Sequence, residues 1–168
     1  MLYLVLALVA LQRIGELIYA ERNTRRLRAR GAIEIAAWQH PLFVALHTAW
    51  LVALVVFVPK TTMPSWPLVA FFFVLQAARL WVLATLGPFW TTRIITLPGA
   101  PLVRSGPYRF LRHPNYTIVV LEIAVLPLAF HAPRIAAIFT LLNAVLLAVR
   151  IHSENKALDA RAVCYPRG

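Results

Sequence analysis

Long apolar runs separated by polar stretches dominate the pattern of this chain. The five runs are Met1–Ala20, Pro41–Val58, Pro64–Leu86, Asn115–Ala129 and Arg134–His152. A membrane-spanning helix needs about 20 residues to cross about 30 Å of hydrocarbon. The third and fifth runs reach that length, the first and second are close to it, and the fourth is shorter. The pattern therefore predicts an all-α integral membrane bundle of about five transmembrane helices.

The connections between the runs add detail to this prediction. Only Phe130–Pro133 separate the fourth run from the fifth, so these two helices are expected to form a hairpin. The first run has no basic residues before it and no small-residue cleavage site after it, which predicts a retained helix rather than a signal peptide. We expect one domain over residues 1–168, with three helices in 1–86 and the functional half in 87–158.

Composition supports a membrane protein and narrows its partners. Hydrophobic residues make up 61% of the chain and charged residues 14%, against about a quarter charged in soluble domains. The net charge of +11 could indicate nucleic-acid binding. The basic residues lie between apolar runs, however, where they suit an anionic membrane surface. Membrane lipids are the expected partners; no nucleic acid and no obligate protein partner is predicted. The lone Cys164 excludes an internal disulfide framework.

The distribution of Lys and Arg predicts the orientation, because cytoplasmic loops carry the excess of positive charge. The loops after the first and third runs and the C-terminal tail hold Arg22, Arg25, Arg26, Arg28, Arg30, Arg93, Arg104, Arg109, Arg112, Lys156, Arg161 and Arg167. The loops on the other side hold only Lys60 and Arg134. We therefore expect the N-terminus outside and the C-terminus in the cytoplasm.

The polar loop 87–114 is longer and richer in Pro and Gly than a simple connection requires. Pro114 suits the first turn of the fourth helix, which places His113 near its N-cap. Free backbone N–H groups at such a terminus favour an anionic group. Tyr108 and Tyr116 offer aromatic faces that suit a purine or a sulfonium-bearing ligand. Two interpretations remain open at this point: a polar ligand site, or an aromatic belt at the membrane interface.

Four ionisable residues fall inside the first, third and fourth apolar runs. Arg13 and Glu16 are three residues apart and can share one helix face, while Arg79 and Glu122 lie in other helices. Charges at membrane depth are costly, and they usually face a cavity or one another. For Arg13 and Glu16 a structural ion pair is expected. For Arg79, snorkelling to the inner headgroups and a role in a cavity are equally supported.

Three sequence blocks resemble the isoprenylcysteine carboxyl methyltransferase family. They are Leu102–Tyr108 (L-V-R-S-G-P-Y), Arg112–Tyr116 (R-H-P-N-Y) and Arg150–Glu154 (R-I-H-S-E). Their order, with a hydrophobic hairpin between the second and third, matches that family over residues 76–158. Arg150 and Glu154 are also spaced to share one helix face, which by itself is equally consistent with a salt bridge at a helix end.

The resemblance implies a membrane enzyme that binds S-adenosyl-L-methionine at its cytoplasmic face and takes a lipophilic acceptor from the bilayer. By motif position, the cofactor contacts would be Ala100, Pro101, Leu102, Val103, Tyr108, His113, Pro114, Asn115, Tyr116 and Glu154. Arg150 would face the acceptor, and Arg150 and Glu154 would be the catalytic residues. No metal site is expected, because the chain lacks paired His/Cys spacing of the ligand type. The chain also lacks G-x-G-x-x-G, so a Rossmann-type methyltransferase is not predicted.

Two departures from the family pattern concern the acceptor. Asn155 stands where the family often has a second acid, and the C-terminal tail is short. The segment Gly87–Arg93 resembles the short bacterial branch associated with O-methylation of long-chain alkylpyrones. The acceptor is therefore left open between a prenylcysteine-like carboxylate and an acidic enol or phenol, and the expected location is the bacterial inner membrane.

Two other functions share parts of the pattern. Membrane sterol and lipid reductases that use NADPH also carry R-H-P-N-Y, but they are longer and usually have G-L-W before it, where this chain has Gly106–Tyr108. A small multidrug-type transporter would need an acidic residue within an early helix, and Glu16 is the candidate. The long polar loop has no evident purpose in such a transporter.

Overall fold

The computed structural model describes residues 1–100 and 103–164, with side chains described as far as residue 157. The five helices are α1 (Leu2–Ala29), α2 (Gln39–Phe57), α3 (Trp66–Leu86), α4 (Pro114–Ala129) and α5 (Pro133–Cys164). Two short strands, β1 (Ile33–Ile35) and β2 (Ile94–Thr96), and two 3₁₀ turns, Gly87–Phe89 and Gly106–Arg109, complete the described elements.

Four of the helices are long and apolar enough to cross a membrane, which confirms the prediction of an all-α membrane bundle. These segments are Leu2–Ala29, Gln39–Phe57, Trp66–Phe89 and Pro133–Ala157. The exception is α4, whose 16 residues span about 24 Å. It packs against α3 and α5, and residues along its whole length, from Ile118 to Ala129, are buried.

The helices alternate in direction, which gives the bundle two distinct ends. At one end the backbone N–H of Ser65 donates to the carbonyl oxygen of Ala129 at 2.8 Å, beside a core that includes Leu2, Trp50 and Phe130. At the other end lie the C-terminus of α1, both strands and the start of α4. We call this second end the motif end, because the R-H-P-N-Y block lies there.

The strands form a small antiparallel ribbon at the motif end, pairing Ile33 with Thr96 and Ile35 with Ile94. Glu34 on β1 pairs with Arg28 of α1, and it accepts from Arg93 Nη1 at 2.8 Å. Burial opposes ionisation of Glu34, but the hydrogen bonds and charges of these two arginines outweigh it and lower the pKa of the carboxyl. The ribbon therefore links two connections that are far apart in sequence.

Helices α1 and α5 extend beyond the apolar runs that predicted them. Arg22, Arg25, Arg26 and Arg28 lie on the last turns of α1 rather than in a loop. Arginine is a good helix former, and α1 ends only where Gly31 adopts a φ of 87°. In the same way α5 continues past His152 to Cys164.

Candidate active site

The start of α4 lies at the centre of the candidate site. Pro114 occupies the first turn, and His113 is the N-cap residue, with no hydrogen bond from its side chain to the helix backbone. The His113 ring instead stacks on Tyr116, with centroids 5.3 Å apart and planes 16° apart. Its Nε2 lies 3.1 Å from Oδ1 of Asn155 on α5. The N-terminus of α4 thus lies beside an ordered pair of rings, and the backbone N–H groups of Tyr116 and Thr117 donate to the carbonyl oxygen of His113.

The hydroxyl of Tyr116 connects Arg150 and Glu154. It accepts a hydrogen bond from Arg150 Nε at 2.8 Å and donates a short one to Glu154 Oε2. The sequence placed Arg150 and Glu154 on one face of a helix, and the structure inserts a neutral hydroxyl from α4 between them. We call these three residues, together with His113, the Tyr116 cluster.

Arg150 has two further contacts besides Tyr116, which hold its long side chain in place. Its Nη2 donates to the carbonyl oxygen of Thr92 at 2.9 Å, and its guanidinium lies 5.1 Å from the ring centroid of Phe43 on α2. Only 7% of the residue is exposed. A guanidinium fixed in this way presents its remaining N–H groups in one direction.

Tyr108 reaches the site from the turn Gly106–Arg109. Burial, and then the negative charge of Glu154, raise the pKa of the Tyr108 hydroxyl, so it stays protonated at neutral pH. The turn is packed closely on α3: Gly106 has a φ of 54°, and a Cβ there would lie 2.5 Å from Thr85 Oγ1. A glycine is therefore required to bring Tyr108 to this position.

A single cavity of about 1010 Å³ joins these residues. Eight of the predicted site residues line it: Ala100, Val103, Tyr108, His113, Asn115, Tyr116, Arg150 and Glu154. Pro114 is buried in the first turn of α4, where it shapes the helix start. The predictions for Pro101 and Leu102 lie outside the described residues. Ligand pockets in proteins typically measure about 300–1,000 Å³, so this cavity lies at the upper end of that range.

A second group of charges lies deeper in the bundle, and we call it the buried quartet: Arg13, Glu16, Arg79 and Glu122. Arg79 Nε and Nη2 donate to Glu16 at 2.8 and 2.7 Å, and its Nη1 lies 3.2 Å from Glu122. Arg13 bridges the same two carboxylates, at 2.9 Å to Glu16 and 2.7 Å to Glu122. The quartet connects α1, α3 and α4, with two positive and two negative charges.

This arrangement settles the two interpretations of Arg79. Snorkelling to the headgroups is wrong, because the guanidinium turns inward to the two carboxylates and the residue is 6% exposed. The ion pair expected between Arg13 and Glu16 is confirmed, as part of a larger group. Glu16, the acid that a transporter would need, is engaged by Gln12, Arg13 and Arg79.

Sequence reasoning missed two backbone contacts that organise the site. Asn23, fully buried on α1, donates through Nδ2 to the carbonyl oxygens of Gly87 and Trp90, at 3.1 and 2.9 Å. Two residues further on, the Thr92 carbonyl holds Arg150. An asparagine three residues after the end of a long apolar run was the available signal, because a buried amide usually has hydrogen-bond partners.

The fold and the cavity define an integral membrane protein with a polar site at one end of its helices. The model of the Isoprenylcysteine carboxyl methyltransferase (ICMT) family matches residues 68–160, and the chain belongs to this family. It is therefore a membrane methyltransferase. The matched segment includes α4, most of α5 and all three blocks on which the resemblance rested.

Two bacterial relatives are similar over most of the chain. The uncharacterized protein YpbQ of Bacillus subtilis is 36% identical over 97% of this chain and 99% of its own length. An uncharacterized protein of Haemophilus influenzae is 28% identical over 82% of this chain and 83% of its own length. No solved structure matches the chain.

Proposed function

We propose that the protein transfers a methyl group from S-adenosyl-L-methionine to an oxygen of a lipophilic acceptor. The observation that carries this proposal is the position of the Tyr116 cluster. It opens on a cavity that also includes the motif residues around Tyr108 and the apolar face of α2 near Phe43. A polar cofactor and an apolar acceptor can therefore reach the same guanidinium from different sides.

The residues at the motif end fit the methyl donor, S-adenosyl-L-methionine. The adenine ring is flat and the sulfonium is cationic, and the Tyr108 and Tyr116 rings offer faces to both. The Glu154 carboxylate is 28% exposed, which leaves it available to an ammonium or a ribose hydroxyl. When bound, S-adenosyl-L-methionine supplies an electrophilic methyl group for in-line transfer.

Arg150 suits the acceptor oxygen. Its Nε donates to the Tyr116 hydroxyl, and its Nη2 donates to the Thr92 carbonyl oxygen. The guanidinium is therefore held rigidly, with its positive charge facing the cavity. A preorganised cation stabilises an oxyanion without reorganisation. A carboxylate or an acidic enol, such as a long-chain alkylpyrone, is already deprotonated and needs no base. For a less acidic hydroxyl, Glu154 or His113 would remove the proton.

The charge around the cavity favours the same class of acceptor. Besides Arg150, four other arginines line the cavity: Arg93, Arg104, Arg109 and Arg112. At the motif end, the acidic residue in the lining is Glu154. By the distribution of basic residues, we propose that this end faces the cytoplasm, in a bacterial inner membrane. The donor would then enter from the cytoplasm and the acceptor from the bilayer.

Binding of candidate ligands to the detergent-purified protein tests the proposal. Equilibrium dialysis should show micromolar binding of S-adenosyl-L-methionine, and no binding of NADPH or tetraphenylphosphonium. His113→Ala should abolish binding of the donor, whereas His152→Ala, at an exposed position of α5, should leave it unchanged. Binding of NADPH in place of the donor would support the reductase instead.

A further inference from the structure

The cavity continues from the Tyr116 cluster into the part of the bundle that lies at membrane depth. On α2 its lining is a single stripe: His40, Phe43, Val44, His47, Thr48 and Leu51. This spacing keeps one helix face directed to the cavity for about three turns. On α1 the lining includes Arg13, Glu16 and Leu17, so the buried quartet forms part of the wall of the same cavity.

His47 is the group on this stripe with unused hydrogen-bonding capacity. Its Nδ1 lies 2.8 Å from the carbonyl oxygen of Phe43. A carbonyl oxygen only accepts, so Nδ1 carries the proton, and Nε2 of the neutral ring is an acceptor. Within the described residues, Nε2 has no hydrogen-bond partner. A polar side chain about 12 Å into a spanning helix is costly to place at membrane depth. Such side chains usually face a cavity or a partner and often have a function.

Arg13 supplies donors to the same part of the cavity. Its side chain is the most exposed of the quartet at 16%, against 7% or less for the others. Two of its N–H groups bond Glu16 and Glu122. Nε is enclosed by protein atoms, so the donors that can reach a ligand are the remaining N–H groups of Nη1 and Nη2. Arg13 and Glu16 also lie close enough to His47 to act on it electrostatically. A donor and an acceptor therefore line one wall.

The contacts of Phe43 show how far this wall lies from Arg150. Arg150 packs on Phe43 with 5.1 Å between guanidinium and ring, and the rings of Phe43 and His47 are 6.4 Å apart. His47 is thus one helical turn, about 6 Å, deeper in the membrane than the residue that Arg150 touches. The quartet has no net charge, so an additional ionic group there would have no counter-charge. An uncharged oxygen function fits instead.

We infer that the acceptor carries a second, uncharged oxygen function, a hydroxyl that donates to His47 Nε2 and accepts from Arg13 at membrane depth. The apolar chain of the acceptor then lies along Leu17, Val44 and Leu51, toward the bilayer. This inference rests on the proposed function and specifies its substrate class: an amphiphile whose head group has two oxygen functions, one methylated beside Arg150 and one recognised by His47.

A pair of lipids that differ by one hydroxyl tests the inference. Pentadecylresorcinol has two ring hydroxyls and meta-pentadecylphenol has one, with the same chain. Apparent Kd values are measured from the rise in unfolding temperature of the protein in detergent micelles with S-adenosylhomocysteine, which prevents turnover. The wild type should bind the resorcinol at least about tenfold more tightly, because the phenol leaves buried polar groups unpaired. In His47→Leu the two affinities should become equal, while His152→Leu should keep the preference.

The outcomes separate the inference from the proposed function. Failure of the wild type to bind S-adenosylhomocysteine would contradict the proposed function itself. If the nucleotide binds to the wild type and to His47→Leu with equal affinity, both proteins are folded at the motif end. Equal binding of the two lipids by the wild type, binding of neither lipid, or a preference that survives in His47→Leu would then overturn the inference.

Discussion

The Tyr116 cluster and the buried quartet contain similar side chains, but their pairing differs. In the quartet, both guanidiniums contact both carboxylates, and each of the four side chains is at most 16% exposed. In the Tyr116 cluster, a hydroxyl separates Arg150 from Glu154, and Glu154 is 28% exposed. One group satisfies its charges internally, whereas the other leaves charge directed into the cavity.

This difference shows which of the two groups has charge left to bind a ligand. A buried ion pair gains little net stability over apolar residues, but removing one partner leaves an uncompensated charge. The quartet therefore fixes the relative positions of α1, α3 and α4, and its members have little charge left for a ligand. Under the proposed function, the Tyr116 cluster is the group whose remaining charge recognises a ligand.

The largest effect should come from unbalancing the quartet. Glu122→Gln keeps the shape of the side chain but leaves Arg13 and Arg79 with one carboxylate between them. We expect a loss of about 3–5 kcal/mol in the free energy of unfolding. Thermal unfolding in detergent micelles measures this as a large fall in the midpoint.

The matched control for that change is Glu21→Gln. Glu21 pairs with Arg25 on an exposed face of α1, and such pairs contribute at most about 1 kcal/mol. If Glu122→Gln were no less stable than Glu21→Gln, the quartet would not fix the relative positions of α1, α3 and α4 as described above.

The second effect concerns catalysis at Arg150. Lysine keeps the positive charge in Arg150→Lys but loses the planar fork that contacts Tyr116 and Thr92. We expect turnover with a membrane lipid extract to fall about 10²–10³-fold, the usual cost of losing an oxyanion donor. Affinity for S-adenosyl-L-methionine, measured by dialysis, should change much less. A variant with normal turnover would show that Arg150 has only a packing role.

A smaller effect is expected from Tyr116→Phe. This change keeps the ring that stacks on His113 and removes the hydroxyl between Arg150 and Glu154. Hydrogen bonds to charged groups contribute about 1.5–3 kcal/mol, so kcat/KM should fall about ten- to a hundredfold. Unchanged kinetics would contradict the bridging role of the hydroxyl.

The smallest effect lies at the ribbon. Arg93 and Arg28 lower the pKa of Glu34, so ionised Glu34 stabilises the fold at neutral pH, and this stabilisation is lost as the pH falls through its folded-state pKa. Glu34→Gln should cost less than about 1 kcal/mol at pH 7. The difference in unfolding midpoint between wild type and variant should shrink below a pH of about 4. A difference that grows on acidification would have the wrong sign for this account.

The helices could be predicted from the sequence because their apolar runs are long. The five runs correspond to α1–α5, and the short fourth run corresponds to the helix that is buried between its neighbours. Where the prediction was incomplete, a polar helix continued an apolar one, as at Arg22–Arg28 of α1. The strands β1 and β2 have three residues each, too few for an alternating pattern to be recognised.

The sequence predicted which side chains would be grouped around one cavity, but not how they pair with one another. The three sequence blocks brought His113, Tyr116, Arg150 and Glu154 together in advance. That Tyr116 lies between Arg150 and Glu154 depends on the rotation of α4 against α5, which spacing along one helix does not reveal. Likewise Arg79 and Glu16 are 63 residues apart, and only the packing of α3 on α1 shows that they pair.

The most direct test of the central claim is to follow the methyl group into a lipid. Cells that produce the wild type or Arg150→Lys are fed methionine with a trideuterated methyl group, and their lipid extracts are compared by mass spectrometry. We predict a lipid that gains one trideuteromethyl group on oxygen with the wild type and lacks it with the variant. Labelling confined to water-soluble products, or identical lipid labelling in both strains, would contradict the account.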